Sequence, residues 1–182
     1  MAQVEDKIIL ELFSDENTRN SALGHLIAKY QQRLYWHIRK IVIDHDDSDD
    51  ALQNTFIKVW KGLGNFKAES QLYTWLYRIA TNEALNVLRQ KKKSQTTSIH
   101  PIEYELSKNL ESDEYFTGDE IQLKLQQAIL TLPEKQRLVF NMRYYDEMPY
   151  EQMSQILETS VGALKASYHI AAKKIEGILV TT

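Results

Sequence analysis

The 182-residue chain has no cysteine, only three prolines, and no run of apolar residues that is long enough to span a membrane. The lack of cysteine excludes disulfides, thiol catalysis and cysteine zinc sites, and it fits the reducing cytoplasm, where we expect this chain to act. Without a membrane-length apolar run or a signal-peptide pattern, no membrane insertion is expected. The scarcity of proline and of alternating β-branched runs predicts an all-α protein.

The chain also lacks an overall excess of positive charge. The net charge is −3, with 43% hydrophobic and 26% charged residues, which is ordinary for a soluble globular protein. Global charge therefore does not indicate a nucleic-acid binder, and any such function must rest on local patches. The length allows one domain or two small ones.

The first 42 residues predict two helices. The first is short, and its apolar face ends at the polar stretch Ser14–Asn17. The second is longer, and its apolar residues recur at spacings of three and four: Leu23, Leu26, Ile27, Tyr30, Leu34, Ile38 and Ile41. This spacing is that of a helix with one buried face, which we expect to complete a small bundle with the helices that follow.

The stretch Ser48–Lys93 predicts two amphipathic helices joined by a short polar loop. Ser48 is the expected N-cap of the first, because the acidic residues after it complement the positive end of the helix dipole. One stripe of this helix is apolar: Leu52, Phe56, Val59, Trp60 and Leu63. The other side carries Asp50, Gln53, Asn54 and Lys61, with Ile57 among them. An apolar residue inside a polar face suggests a partner surface.

The second helix is expected from about Leu72 to Lys92, with one apolar side and one polar side. The polar stripe contains Trp75, Arg78, Asn82, Asn86, Arg89 and Lys93. Cations suit backbone phosphates, amides suit base edges and an indole suits stacking on an unpaired base. The alternative is an ordinary solvated face with Trp75 against the loop. Glu83 falls toward the apolar side, and the sequence offers no reason for it.

The acidic run Asp44–Asp50 raises the hypothesis of a metal site. It is not an EF-hand loop, because Asp49 stands where the sharp-turn glycine belongs and Thr55 where the bidentate glutamate belongs. A pair such as His45–Asp46 also occurs in metal-dependent phosphohydrolases, but no further His–Asp cluster accompanies it. A helix-capping acidic loop is the better interpretation. No metal site, catalytic residue or cofactor is expected.

A linker is predicted from Ser94 to about Asp119. Its acidic residues outnumber its single base, Lys108, so it is a poor core former and is expected to be flexible. It also contains apolar residues that could dock on a partner: Ile102, Tyr104, Leu106, Leu110, Tyr115 and Phe116.

The remaining segment, Ile121–Thr182, predicts a second small helical domain. The inward face of its first helix contains Ile121, Leu125, Ala128, Ile129 and Leu132. Glu134 opens the next helix, and Pro149 is a suitable first-turn residue for a third. A fourth helix is expected from about Val161, after a short turn. Two short helices joined by a tight turn form a helix-turn-helix.

The outer face of the fourth helix has a composition that suits DNA. It contains Gly162, Ala163, Ala166, His169, Ile170 and Lys173, with Lys165 and Lys174 at its flanks. Small residues let a backbone approach a groove, lysines can meet phosphates and His169 can reach a base edge. The alternative is an ordinary bundle helix, since many bundles contain this geometry.

Four segments together resemble the extracytoplasmic-function (ECF) sigma factors of bacterial RNA polymerase. They are SDDALQNTFIKVW, NFKAESQLYTWLYRIATNEALNVLR, LPEKQRLVFNMRYYDEMPYEQMSQIL and TSVGALKASYHIAAKKI. The resemblance implies an all-α fold of two small helical domains joined by a flexible acidic linker. Residues 1–93 would be sigma region 2, 94–119 the linker, and 120–182 sigma region 4.

The resemblance also implies roles for particular residues. Docking on the clamp of the largest polymerase subunit would use Asp50, Gln53, Asn54, Phe56 and Ile57, although the family usually has Glu at position 54. Binding of the −10 promoter element, with a flipped base, would use Asn65, Phe66, Lys67, Glu69, Ser70, Gln71, Trp75, Arg78, Asn82, Asn86 and Arg89. Ala68 stands where glycine is common.

Region 4 would read the −35 element and dock on the flap of the second-largest polymerase subunit. The implied −35 residues are Ser160, Gly162, Ala163, Lys165, Ala166, His169 and Lys173. Ser167 and Ile170 stand where the family commonly has arginine, which suggests a different −35 sequence or weaker phosphate contact. Glu158 stands where the turn usually has glycine.

The resulting prediction is a non-catalytic promoter-specificity subunit. Its expected partners are core RNA polymerase, promoter DNA and, as in many family members, an anti-sigma factor. Two alternatives remain open at this point: a helix-turn-helix regulator that acts without polymerase, and an HD-like metal phosphohydrolase that uses His45 and Asp46.

Overall fold

The computed structural model describes residues 4–94, 106, 108–110 and 120–181, and the regular elements in these ranges are all helical. The all-α prediction is therefore confirmed for the described part of the chain. The N-terminal half contains α1 (Asp6–Ser14), α2 (Arg19–Val42), α3 (His45–Gly62), a 3-10 turn (Leu63–Asn65) and α4 (Leu72–Ser94). The C-terminal half contains α5 (Glu120–Leu130), α6 (Glu134–Tyr144), α7 (Tyr150–Leu157) and α8 (Val161–Thr181). None of the helices in the described ranges combines the length and apolarity needed to cross a membrane.

Helix α2 is the centre of the N-terminal bundle and packs against α1, α3 and α4. Its predicted apolar face is confirmed, because Leu26, Leu34 and Ile38 are fully buried. Each such side chain stabilises the fold by about 1.5–3 kcal/mol through burial. This bundle holds α3 and α4 side by side, and these two helices carry most of the binding residues that are predicted in the N-terminal half.

Helix α3 begins earlier than the sequence suggested, so the prediction of Ser48 as its N-cap is wrong. Asp44 has extended backbone and its carboxylate accepts a hydrogen bond from the amide of Asp47 at 3.0 Å, which makes Asp44 the N-cap. Ser48 is fully buried inside the helix, where its hydroxyl donates to the carbonyl of Asp44. In this acidic run, the aspartate nearest the start has the backbone angles of a cap.

The buried face of α3 consists of small side chains rather than of the large apolar stripe. Ser48, Ala51, Thr55 and Val59 are buried, whereas Leu52, Phe56 and Trp60 are only half-buried. Small residues at the contact let α3 approach its neighbours closely. The larger side chains then cover the edges of the contact.

Glu83 on α4 connects the same two helices. Its side chain is 9% exposed and forms an ion pair with Lys58 of α3. The amide of Asn86 also donates to the Glu83 carboxylate, at 3.4 Å. Glu83 therefore faces α3 because it has a cationic partner there.

The predicted linker lies largely outside the described residues, but its described part is packed on the protein. Leu106 and Leu110 are helical and buried, and they belong to the same apolar cluster as the N-terminal bundle. Asn109 donates to the Asp44 carboxylate at 3.4 Å. Two of the residues that were offered for docking on a partner, Leu106 and Leu110, therefore dock on their own chain here.

In the C-terminal half, α6 and α8 pack together over a small core that includes Leu125, Ile129, Phe140 and Ala171. The prediction that Ile121 faces inward is wrong, because its side chain is 72% exposed. Pro149 lies just before α7 at its N-cap, not inside the first turn. Helices α7 and α8, with the turn between them, form the predicted helix-turn-helix.

Two positions at which glycine was expected have left-handed backbone. Ala68 has φ 55° in the loop before α4, and Glu158 has φ 51° and ψ 41° in the turn before α8. Residues with a Cβ atom pay about 1–2 kcal/mol in this region, whereas glycine does not.

Glu158→Gly is therefore expected to raise the free energy of unfolding by about 0.5–1 kcal/mol, because relief of the strain exceeds the added entropy of the unfolded chain. Urea unfolding monitored by circular dichroism measures the change. Glu158→Ala is the matched control, since it removes the carboxylate but keeps the Cβ. An equal gain in both variants would assign the effect to charge rather than to backbone strain.

Candidate nucleic-acid and polymerase interfaces

The loop before α4 and the start of α4 surround one cavity of about 350 Å³. Its lining contains Asn65, Phe66, Lys67, Glu69, Ser70, Trp75, Arg78 and Gln155. The rings of Phe66 and Trp75 lie 5.3 Å apart and inclined at 49°, so they form an aromatic wall. Lysine, serine and amide side chains supply the polar positions. The cavity has the size and the mixture of flat apolar and polar groups that a small planar ligand needs.

Trp75 is held from two sides. Its indole contacts Phe66, and a Cβ atom added at Gly62 would lie 3.2 Å from the indole ring. Glycine at the end of α3 therefore leaves room for the indole. Trp75 therefore lies against the loop, as the alternative interpretation of this helix face proposed. In this position the indole also forms part of the cavity wall.

The polar stripe of α4 is only partly exposed. We refer to Trp75, Arg78, Asn82, Asn86, Arg89 and Lys93 as the α4 ridge. Asn82, Arg89 and Lys93 are exposed, whereas Trp75, Arg78 and Asn86 are half-buried. The Arg89 guanidinium donates to the Asn86 amide oxygen at 3.1 Å. The C-terminal part of the ridge thus presents an ordered pair of cation and amide to solvent.

Helix α7 from the C-terminal half covers the other end of the ridge. The Arg78 guanidinium donates to the backbone carbonyl of Gln155. Gln152 of the same helix donates to the side chain of Gln71 at 3.3 Å. The ridge is therefore not fully open, because the two halves pack together at this point. This contact could not be predicted from the sequence, since the paired residues are 77 and 81 positions apart.

A buried charged cluster joins the two halves a short distance away. Asp146, after α6, accepts from Lys40 Nζ at 2.9 Å, and its Oδ2 lies 3.0 Å from Nδ1 of His37. The other His37 nitrogen lies 2.8 Å from the Thr81 hydroxyl, which itself donates to the carbonyl of Tyr77. We refer to His37, Lys40 and Asp146 as the interdomain cluster.

The pKa of Asp146 reflects these neighbours. Burial acts to raise it, but the hydrogen bonds and positive charges of His37 and Lys40 outweigh burial, so the pKa of Asp146 lies below its ordinary value. A lowered pKa means that the carboxylate stabilises the folded chain above the ordinary value of about 4 and that this contribution is lost as the pH falls through the lower value. The Asp146 carboxylate is therefore ionised throughout the neutral range.

Asp146→Asn is expected to weaken the closed packing of the two halves by about 3 kcal/mol at pH 7, because it removes the carboxylate that His37 contacts and leaves the Lys40 ammonium without its counter-ion. Spin labels on Asn20→Cys and Glu176→Cys would report the distance between the halves, free of background because the chain has no cysteine. A broader and longer distance distribution is expected. Asp49→Asn is the matched control, since Asp49 is exposed and its ion-pair partner is His45, at 3.7 Å on the same helix. An unchanged distribution in Asp146→Asn would contradict the prediction.

The exposed face of α3 has the predicted composition. Asp50, Gln53 and Asn54 are exposed, and Ile57 is 45% exposed among them. Phe56 is half-buried at the edge of this face. The face lies on the bundle surface, and the helices that α3 mainly contacts are α2 and α4.

Helix α8 presents the predicted outer face of the helix-turn-helix. Gly162, Ala166, His169 and Lys173 are exposed, as are Lys165 and Ala163. Ser160 has a local role, because its hydroxyl accepts the amide of Ala163 at 3.3 Å and caps the helix. Ala163 lines a cleft of about 460 Å³ together with Asn82 and Arg89 of the α4 ridge. Parts of both predicted DNA surfaces therefore share one cleft between the two halves.

The metal hypothesis has no support in the described ranges. His45 Nδ1 lies 2.7 Å from the Tyr35 hydroxyl and 3.7 Å from Asp49, and Asp46 lies in the first turn of α3. No group of three or more potential metal ligands occurs among the described residues.

Comparisons with known proteins identify both halves. The sigma-70 region 2 family matches residues 26–94, and the sigma-70 region 4 family matches residues 122–175. The chain is 32% identical to the RNA polymerase sigma-H factor of Pseudomonas aeruginosa, over 98% of this chain and 96% of that protein. It is 28% identical to the ECF RNA polymerase sigma-E factor of Escherichia coli K12, over 96% and 94% of the two chains.

Two solved structures share the fold. CnrH, solved with the cytosolic domain of CnrY, has a TM-score of 0.70 at 21% identity over 97% of both chains. The sigma factor RpoE of Bartonella quintana, solved with the anti-sigma factor NepR, has a TM-score of 0.67 at 21% identity over 86% of this chain and 95% of that one.

Proposed function

This chain belongs to the ECF sigma factors of bacterial RNA polymerase, and from that premise we propose how its surfaces divide the work of transcription initiation. As a sigma factor, it directs core RNA polymerase to promoters. The alternatives of a polymerase-independent regulator and of a metal phosphohydrolase are not favoured. The family is a class of non-enzymatic transcription factors, and we assign all of the chemistry to the polymerase, in the cytoplasm, with no cofactor on this chain.

The observation that carries the proposal is the cavity beside the α4 ridge. Seven of its eight lining residues are residues to which the sequence assigned −10 binding, and the eighth, Gln155, comes from the C-terminal half. A base that leaves the DNA stack can insert against Trp75 and Phe66, while Lys67 and Arg78 meet its phosphates. The amides of Asn82 and Asn86 and the cation of Arg89 extend the contact along the separated strand. Stacking of this kind is worth about 1–3 kcal/mol per base.

Region 4 holds double-stranded DNA at the −35 element. Helix α8 enters the major groove, with Gly162, Ala163 and Ala166 allowing close approach and His169 facing base edges. Lys165 and Lys173 meet phosphates, so they contribute affinity and its dependence on salt. The exposed face of α3, with Asp50, Gln53, Asn54, Phe56 and Ile57, docks on the clamp of the polymerase, and region 4 docks on the flap.

The two halves separate when the chain binds the polymerase. In the closed arrangement, α7 covers Arg78, and Ala163 shares a cleft with Asn82 and Arg89. A melted strand and a distant duplex cannot occupy these surfaces together. We assign residues 1–93 and 120–182 to two domains that move apart and residues 94–119 to their connection. Similar proteins have been solved with partner proteins, and an anti-sigma factor that favours the closed arrangement is part of this proposal.

Multi-round transcription tests the proposal. Purified core polymerase from the source organism would be given fragmented genomic DNA of that organism, with and without this chain, and transcript starts would be sequenced. The expected result is a set of new starts that depends on the chain and shares two sequence elements upstream. No chain-dependent start would refute the proposal. A promoter footprint obtained with the chain alone, without polymerase, would favour the helix-turn-helix regulator instead.

A further inference from the structure

An isoleucine lies on the predicted DNA-reading face of α8. We propose that Ile170 recognises the C5-methyl group of a thymine in the major groove of the −35 element. The inference rests on the proposed function and deepens it, because it assigns one base preference to one side chain.

Ile170 does not contribute to the packing of either apolar core. It is 53% exposed, and it belongs to neither apolar cluster of the described residues. The inward side of α8 is already complete, since Leu164, Ala171 and Ile175 are buried. A β-branched apolar side chain on an exposed helix face stabilises neither the helix nor the core, so Ile170 is available for contact with a partner.

The neighbours of Ile170 form a frame that suits a groove. Ala166, one turn earlier, and Gly162, a turn before that, are exposed and small, so the backbone can come close to base edges. Lys165 is held with its ammonium 5.7 Å from the Tyr150 ring, and Lys174 donates to the carbonyl of Thr131 at 3.3 Å. Lys173 is exposed. Cations at the flanks and an apolar group between them match the phosphate walls and the floor of a major groove.

The chemistry of the side chain restricts which base it can select. Isoleucine has no hydrogen-bond donor, so it cannot make the paired contact to guanine O6 and N7 that an arginine makes. Among the four bases in the major groove, only thymine offers an apolar group, its C5-methyl. The stiff χ1 of isoleucine fixes the position of the contact in advance. Burial of a methyl-sized surface predicts a preference of about three- to tenfold.

The test uses the polymerase with this chain bound. Duplex fragments with a randomised −35 region would first be selected for transcription by core polymerase with the wild-type chain. The selected sequences are expected to contain thymine at one or more −35 positions. Fragments that carry deoxyuridine in place of thymidine at each such position would then be compared, because this exchange removes only the methyl group.

For the wild-type chain, the exchange at one position is expected to lower promoter occupancy about three- to tenfold. Ile170→Ala is expected to bind both fragments equally, at the level of the wild-type chain on deoxyuridine. Val180→Ala is the matched control, since Val180 is an exposed β-branched residue near the end of the same helix, and it should keep the wild-type ratio. Circular dichroism would verify that both variants fold.

Two results would overturn the inference. One is an occupancy that never changes with deoxyuridine while the wild-type chain still directs transcription, which leaves the proposed function intact. The other is an Ile170→Ala variant that keeps the full methyl preference, or that loses affinity for core polymerase instead, which would make Ile170 a protein contact. Failure of the wild-type chain to direct any transcription would refute the proposed function, and with it this inference.

Discussion

A cross-link between positions 71 and 152 is expected to reduce transcription by the polymerase with this chain bound at least tenfold, and cleavage of the cross-link should restore it. Gln71 lies in the loop beside the base cavity and Gln152 on α7, with their side chains 3.3 Å apart. A tether at this point keeps α7 over Arg78 and over the cavity. The proposed function needs both DNA surfaces at once, so the tethered chain is expected not to complete initiation.

The chain is well suited to this experiment, because it has no cysteine of its own. Gln71→Cys and Gln152→Cys would be joined by a short bis-maleimide whose spacer contains a disulfide, and the product would be purified before core polymerase is added. Each single variant, treated in the same way, controls for modification. Lys7→Cys with Glu11→Cys controls for the linker, because these residues lie one turn apart on α1. A cross-linked chain that is as active as the untethered one would show that the closed arrangement need not open.

Trp75→Ala is expected to lower the rate of open-complex formation by one to two orders of magnitude, while affinity for core polymerase changes less than about threefold. The indole supplies one wall of the cavity, and loss of one stacked base costs about 1–3 kcal/mol. Asn82→Ala should act in the same direction with a smaller effect, since it removes an amide contact and no stacking surface. Permanganate reactivity of melted thymines would measure opening, and fluorescence anisotropy would measure polymerase binding.

A second tryptophan provides the control for packing. Trp60 is half-buried like Trp75 and meets Phe13 edge-on, with ring centroids 5.4 Å apart, in the same bundle. Trp60→Ala should lower stability without a selective loss of opening. If Trp75→Ala lowers polymerase binding and opening equally, or if Trp60→Ala has the same selective effect, the assignment of the cavity to base capture is wrong.

Helical periodicity predicted the helices of the described chain well, and its failures have local physical causes. The apolar face of α2 followed directly from spacings of three and four, because one side of that helix meets three neighbours. The buried face of α3 was predicted in the wrong place because small side chains make the contact with the neighbouring helices. Small side chains contribute little to a pattern of hydrophobic residues. The sequence does not distinguish Ser48 from Asp44 as the N-cap, because several adjacent residues here can cap a helix. Only the backbone angles decide among them.

The contacts between the halves could not be predicted from the sequence. Glu83, His37 and Asp146 each read as an isolated polar residue, since their partners are 25 or more positions away. A buried charge is tolerated only where the fold brings a counter-charge to it, and the sequence does not show which charges will meet. The resemblance to a family supplied the residues of the cavity, but it did not indicate that α7 would cover them.

The burial of Leu106 and Leu110 shortens the part of the chain that is available to connect the N-terminal and C-terminal halves. Counted from Ser94 to Glu120, a fully extended connection reaches about 90 Å, but counted from Leu110 it reaches only about 35 Å. While the two leucines stay docked, the gap between promoter elements that one molecule can bridge is set by the shorter value. Release of the two leucines would lengthen the connection. The promoter spacing that the chain can bridge therefore depends on how stably Leu106 and Leu110 are packed.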